Sequence, residues 1–346
     1  MMKKITALFL FGILLNTGCK KEESAAQRGE TLPFENEHFK LEFVSNSVPA
    51  SIRDIHFMDQ AIGIVVTYDG QIFRTKDGGS TWVLKYTSPT PDQQLHQILF
   101  TDPQTGYVVG GSLSCNGNGC VPPGGILLKT TDGGNSWQSM LQIKEVEFIS
   151  VAQSNIGDLF AIANGKGGFI YKSSNAGNDW VLIDSVSFSL NRINFTANTG
   201  IITGTGGTIL SSQDKGSTWS TSTMGGSQFF TDITFENGMI YCLSNYNTIY
   251  QSNDNGTSWS LYYTASHGIL KIVPLSANTF FTFGSGWYTG GCFGRSYGAV
   301  RHSSDDGKQW TETEFSDTDP IRFCSFTSPT EGYVVARTQL LRVTVK

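Results

Sequence analysis

The chain has 346 residues, 39 of them glycine and only 15% charged, with a net charge of −5. No basic stretch interrupts it, so a nucleic-acid backbone would find no electrostatic footing. The histidines (His38, His56, His96, His267 and His302) show no ligand spacing, which leaves metal and cofactor chemistry without support.

The chain opens Met1-Met-Lys-Lys, and an apolar run over 5–15 follows that is too short to span a bilayer as a helix. Asn16-Thr-Gly-Cys19 comes next. A small residue directly before cysteine resembles a lipoprotein signal, which implies cleavage after residue 18 and a lipid on Cys19. Asn16 stands where such signals usually carry leucine. Lys20-Lys-Glu-Glu-Ser24 resembles the surface-export signal of Bacteroidota lipoproteins, and implies an outer-membrane protein facing the cell exterior. The expected division is a signal peptide over 1–18, a lipidated tether over 19–37 and a folded domain over 38–346. The membrane would be touched through the lipid alone.

From residue 39 onward the chain is β-rich and repetitive. Seven inner-strand segments align, beginning Ile52-Arg-Asp-Ile-His-Phe57, Leu95-His-Gln-Ile-Leu-Phe100 and Val146-Glu-Phe-Ile-Ser-Val151. They continue as Leu190-Asn-Arg-Ile-Asn-Phe195, Phe230-Thr-Asp-Ile-Thr-Phe235, Ile269-Leu-Lys-Ile-Val-Pro274 and Ile321-Arg-Phe-Cys-Ser-Phe326. Six units end in the pattern Ser/Thr-x-Asp-x-Gly-x-Ser/Thr-Trp, with some variation at single positions. Its acidic or amide positions are Asp77, Asp132, Asn175, Asp214, Asp254 and Asp305. Its aromatic positions are Trp82, Trp137, Trp180, Trp219, Trp259 and Trp310. Successive tryptophans lie 55, 43, 39, 40 and 51 residues apart, a period that signals a propeller. The glycine supplies positive φ for a tight turn, the carboxylate accepts turn amides and hydroxyls, and the indole packs on the hairpin.

The seventh unit stops without a fourth strand. Phe39-Lys-Leu-Glu-Phe-Val-Ser45 matches the run after Trp82, so residues 39–46 are expected to complete the last blade, with Phe39 in the tryptophan role. The expected fold is an all-β, seven-bladed propeller closed by its N-terminal strand. A six-bladed ring with a leftover sheet is the alternative.

The repeat resembles the Asp-box, or bacterial neuraminidase repeat, of sialidases, sortilin-type receptors, xyloglucanases and photosystem II assembly-factor propellers. The resemblance fixes the fold and leaves function open, because the box is structural in those families. Sialidase chemistry would require an arginine triad, a Tyr-Glu pair and an acid Asp, and Ser51-Ile-Arg-Asp54 and Pro320-Ile-Arg-Phe323 do not match its Phe/Tyr-Arg-Ile-Pro segment. Length and repeat style are similar to the assembly-factor propellers, which implies binding to a membrane protein rather than chemistry; together with the export signal, the expectation is a non-enzymatic scaffold for an outer-membrane protein complex. A glycan-binding or glycan-processing surface lipoprotein is the second expectation, and an adhesive module the third.

Two loops opposite the boxes are enlarged, over 111–124 in blade 2 and 284–298 in blade 6. Insertions on one face of a repeat array often mark its binding face. The second presents Trp287, Tyr288, Phe293, Arg295 and Tyr297 as candidate partner or ligand contacts, the alternative being a small satellite core over the blade. Arg53, Asp54, His96, Arg192, Asp232, Lys271 and Arg322 are candidates for the channel mouth on the same face; a solvated channel with local ion pairs is the competing reading. Cys115 and Cys120 could form a local disulfide, Cys242 and Cys324 fall within strand patterns, and the state of Cys292 is not legible.

Overall fold

Alternating apolar and polar residues between glycine turns build seven antiparallel sheets arranged as blades around a central channel. The structure, a computed structural model, describes residues 30–112, 114–116, 119–121, 124–225, 228–245, 247–276, 278–288 and 296–346, with the backbone alone for 114–116, 119–121 and 287–288. In blade 1 the strands run Ile52–Phe57, Gly63–Thr67, Gln71–Thr75 and Val83–Thr87, from the channel outward. Second strands such as Gly63–Thr67, Gly106–Gly111 and Thr199–Gly204 are buried along their whole length, because a neighbouring blade covers each face. Outer strands face solvent, as Val181–Val186 of blade 3 does over most of its length.

The ring closes as expected. Phe39–Ser45 pairs antiparallel with Gln339–Val345, placing Phe39 opposite Val345 and Leu41 opposite Val343. Phe39 and Leu41 fill the core between blades 6 and 7 with Phe281, Phe283 and Phe315. Each box tryptophan occupies the equivalent core between its own blade and the preceding one, as Trp137 does beside Ile64, Val66 and Ile98. Phe39 is therefore the seventh member of that set. At the other seam of blade 7, the Phe57 N–H of blade 1 donates to Ser325 Oγ at 2.7 Å.

The packing of the propeller extends to residues ahead of position 38. Phe34–Glu35 adds a fifth strand outside Phe39–Ser45, and Phe34 packs 5.4 Å from both Phe39 and Phe315. Glu30 exchanges backbone hydrogen bonds with blade 6, its N–H donating to Glu314 O and its C=O accepting from Ser316. Leu32 and Phe34 are apolar enough to bind the rim, so residues 30–37 lie on the propeller rather than in a free tether.

The boxes explain why glycine recurs. Gly79, Gly134, Gly177, Gly216, Gly256 and Gly307 all have φ between 72° and 88°. A Cβ on Gly134 would stand 2.5 Å from Ile64, and one on Gly216 2.4 Å from Phe160, both residues of the preceding blade. The turn thus sets backbone conformation and blade spacing together. Asp214 Oδ1 accepts the Ser212 hydroxyl at 2.8 Å and the Thr218 N–H at 2.9 Å, while its Oδ2 accepts the Thr218 hydroxyl at 2.7 Å. In blade 3 the partners are exchanged: Asn175 Nδ2 donates to Asp179 Oδ2 at 2.8 Å, so the carboxylate has moved four residues along.

Candidate binding face

Antiparallel order places all six boxes on one face, and the blade-to-blade and second-to-third-strand loops on the other. The second face carries the channel mouth. Most inner strands are bulged near their first residues, for example between Ile52 and Asp54 and between Leu95 and Gln97. The bulge turns the next polar side chain toward the neighbouring blade. Asp54 Oδ2 accepts the Ile98 N–H at 2.9 Å, Gln97 Oε1 accepts the Val151 N–H at 2.9 Å, and Ser150 Oγ accepts the Ile193 N–H at 3.3 Å. This ladder corrects the alignment of blade 3. Its bulge falls between Phe148 and Ser150, so Phe148 rather than Val146 is the counterpart of Ile52.

Inside the ring, Asp54, Arg192, Asp232 and Lys271 come together around a cavity of about 330 Å³, with Gln97 and Asn194. Lys271 Nζ pairs with Asp232 Oδ1 at 3.3 Å, and Arg192 Nε donates to the Thr231 carbonyl at 3.4 Å. Arg53 and His96 form a separate cluster at the rim. Arg53 Nη2 lies 3.1 Å from His96 Nδ1, and His96 Nε2 lies 2.6 Å from Glu147 Oε1. Arg322 is exposed on blade 7 and does not line that cavity. Tyr68 and Phe229, 49% and 43% exposed, add aromatic surface at the same end of the ring. Glu147 was not singled out from the sequence; the misplaced blade 3 register hid its place opposite His96.

The blade 6 insertion is largely an extended hairpin. Its second strand runs Thr279–Tyr288 and its third begins at Ser296, with Tyr288 opposite Ser296. Phe293 and Arg295 lie outside the described residues, as do the side chains of Trp287 and Tyr288, while Tyr297 is half-buried. At the hairpin base, fully buried Arg301 binds the Ser285 carbonyl at 3.0 Å and Glu312 at 2.6 Å. His267, Glu312 and Glu314 bring potential metal-ligand atoms within 4.8 Å of one another. The guanidinium beside Glu312 already supplies the positive charge that a cation would bring, so the group reads as an ion-pair cluster. It joins separate segments, which is why sequence spacing could not reveal it.

In blade 2 the insertion forms a small hairpin with Cys120 opposite Cys115 in the backbone register; their side chains lie outside the described residues. Burial pushes the Cys324 thiol up to about 12 and raises Cys242 as well, so neither is a thiolate nucleophile at neutral pH. His56, stacked 5.1 Å over Phe100, has its pKa lowered by burial. Cys292 lies outside the described residues.

Residues 34–187 match the family model of the photosynthesis system II assembly factor YCF48. A solved YCF48 bound to D1 peptide superposes with a TM-score of 0.66 at 19% identity, covering 92% of this chain and 100% of its own. The fold is that of the YCF48 propellers. YCF48 from Cyanidioschyzon merolae gives a TM-score of 0.62 at 17% identity, covering 87% of this chain and 98% of its own. A streptogramin B lyase gives 0.66 at 13% identity, covering 90% and 100%, so the same ring also supports enzymes. No curated protein sequence matches the chain.

Proposed function

We propose that this protein is a non-enzymatic binding propeller that docks a polypeptide segment across the channel mouth and so helps assemble or hold a membrane-protein complex. The observation that carries this reading is the mixed-charge cavity of Asp54, Arg192, Asp232 and Lys271, on a ring whose loop face also exposes Tyr68 and Phe229. Fixed charges beside aromatic surface suit an extended chain with polar side chains and backbone groups to satisfy. A YCF48 propeller that resembles this one in fold is described with a bound D1 peptide, which supports a protein partner for the YCF48-like ring.

The N-terminal pattern extends the proposal: Cys19 carries lipid, and the propeller sits at the outer membrane facing the cell exterior. Among the described residues no helix is long and apolar enough to cross a membrane, and the lipid would supply the attachment. The partner is then an outer-membrane protein, with Trp287, Tyr288, Phe293, Arg295 and Tyr297 as further contacts beside the mouth.

Crosslinked affinity capture of the full-length protein from its native membrane tests this. Stoichiometric recovery of one membrane-protein complex, lost in a Cys19→Ser variant that no longer fractionates with membranes, is the expected result. Capture of polysaccharide with no protein above background would move the reading to glycan binding.

A further inference from the structure

The Arg53 cluster differs from four ion-paired cations elsewhere in the ring. Lys271 faces Asp232, Lys172 faces Asp158, Arg301 faces Glu312, and Arg342 faces Glu42. Each of those cations is matched to a carboxylate. Arg53 instead touches the His96 ring and lies 5.4 Å from the centroid of Tyr68, and among the described residues it has no carboxylate partner.

The hydrogen-bond inventory fixes the proton positions. A guanidinium can only donate, so His96 Nδ1 must offer a lone pair to Arg53 Nη2. The ring proton therefore sits on Nε2 and is donated to Glu147 Oε1 at 2.6 Å. The His96 and Glu147 side chains are 7% and 10% exposed, so water competes little for either bond. Arg53 itself is exposed.

We propose that Glu147 and His96 form a relay that orients Arg53 at the channel mouth as a carboxylate-recognition group for the docked polypeptide. Held but not neutralised, the guanidinium keeps its fork of donors for a carboxylate, while the Tyr68 face limits its rotation. His96 is a positioning residue in this scheme, and Arg53 makes the contact. The inference rests on the docking reading above and adds the chemistry that the partner must carry.

Fluorescein-labelled decapeptides test it on the full-length protein in detergent. One carries two internal aspartates and an amidated end, one a free C-terminal carboxylate alone, and one is neutral and amidated. Arg53→Gln should weaken whichever carboxylate peptide binds by on the order of tenfold and leave the neutral peptide unchanged. His96→Gln, which can still accept from Arg53 and donate to Glu147, should stay within about twofold of the parent. His96→Phe should match Arg53→Gln, and combining the two should add nothing. Nitrogen-15 NMR should show His96 protonated at Nε2 and bare at Nδ1. A proton on Nδ1, or an unchanged carboxylate preference in Arg53→Gln with peptide binding intact, would overturn the relay while leaving the docking face standing. Binding of none of the peptides would overturn the docking reading and the recognition role together.

Discussion

At the box turn a single glycine answers to two neighbours, its own strained backbone and the blade packed behind it. Gly216 combines φ of +84° with the Phe160 ring where a Cβ would stand. Gly216→Ala should therefore cost about 2–4 kcal/mol, read from urea unfolding. Gly157, also at positive φ but with nothing within 4 Å of a Cβ, should lose distinctly less on the same change. The box carboxylates set the acid limit. Hydrogen bonds from the Thr218 backbone and hydroxyl hold Asp214 down to about 2, and those from the Ser258 hydroxyl and backbone do the same for Asp254. Their folded pKa lies below the unfolded value, so their contribution is complete above about pH 4 and is lost as pH falls through about 2. The melting temperature should hold level down to about pH 4 and then decline, and Asp214→Asn should shallow that decline. A melting temperature that starts to fall near pH 6 would point to histidines instead. Sequence alone reveals these acids as turn residues, since each sits at one fixed offset before its tryptophan. It does not reveal that Asp179 has taken over the carboxylate role from Asn175, because only the folded turn shows which side chains meet.

Among elements, the N-terminal strand has the largest leverage. Phe39–Ser45 completes blade 7 and carries the ring that stands where other blades place tryptophan. Phe39→Ala removes a side chain only 2% exposed and should cost about 3–5 kcal/mol. Because that strand joins the two chain ends, hydrogen exchange should rise across Gln339–Val345 and Phe39–Ser45 together and leave Gly168–Ser173 unchanged. Uniform exchange across all seven blades would show that closure is not the weak point. This strand was legible because its residues repeat the run after Trp82. The inner strand of blade 3 was misplaced by two residues for the opposite reason. A shift of two preserves which side chains face the core, so Val146 and Phe148 satisfy the same apolar pattern. Only the bulge at Phe148 and the hydrogen bond from Val151 to Gln97 fix the register. The blade 6 insertion has the composition of a loop, rich in glycine and polar residues. Pairing across the hairpin carries the strands through to Tyr288 and Ser296 despite those glycines.

At the scale of the molecule, near-identical turns on one face build the ring, and the divergent loops on the other are where we place recognition. Six near-copies of one turn made the architecture readable from the sequence. The mouth is legible only in part: Asp54, Arg192, Asp232 and Lys271 hold equivalent strand positions and line one cavity, whereas Glu147 and the His267 cluster meet through contacts between distant segments. The partner is proposed to dock on the loop face. A photo-crosslinking amino acid at Tyr68 or Phe229, compared with one at Ser217 in a box, tests this most directly in cells that carry the native membrane. One polypeptide should be crosslinked from Tyr68 and Phe229 and none from Ser217. The same polypeptide captured from Ser217 alone would contradict it.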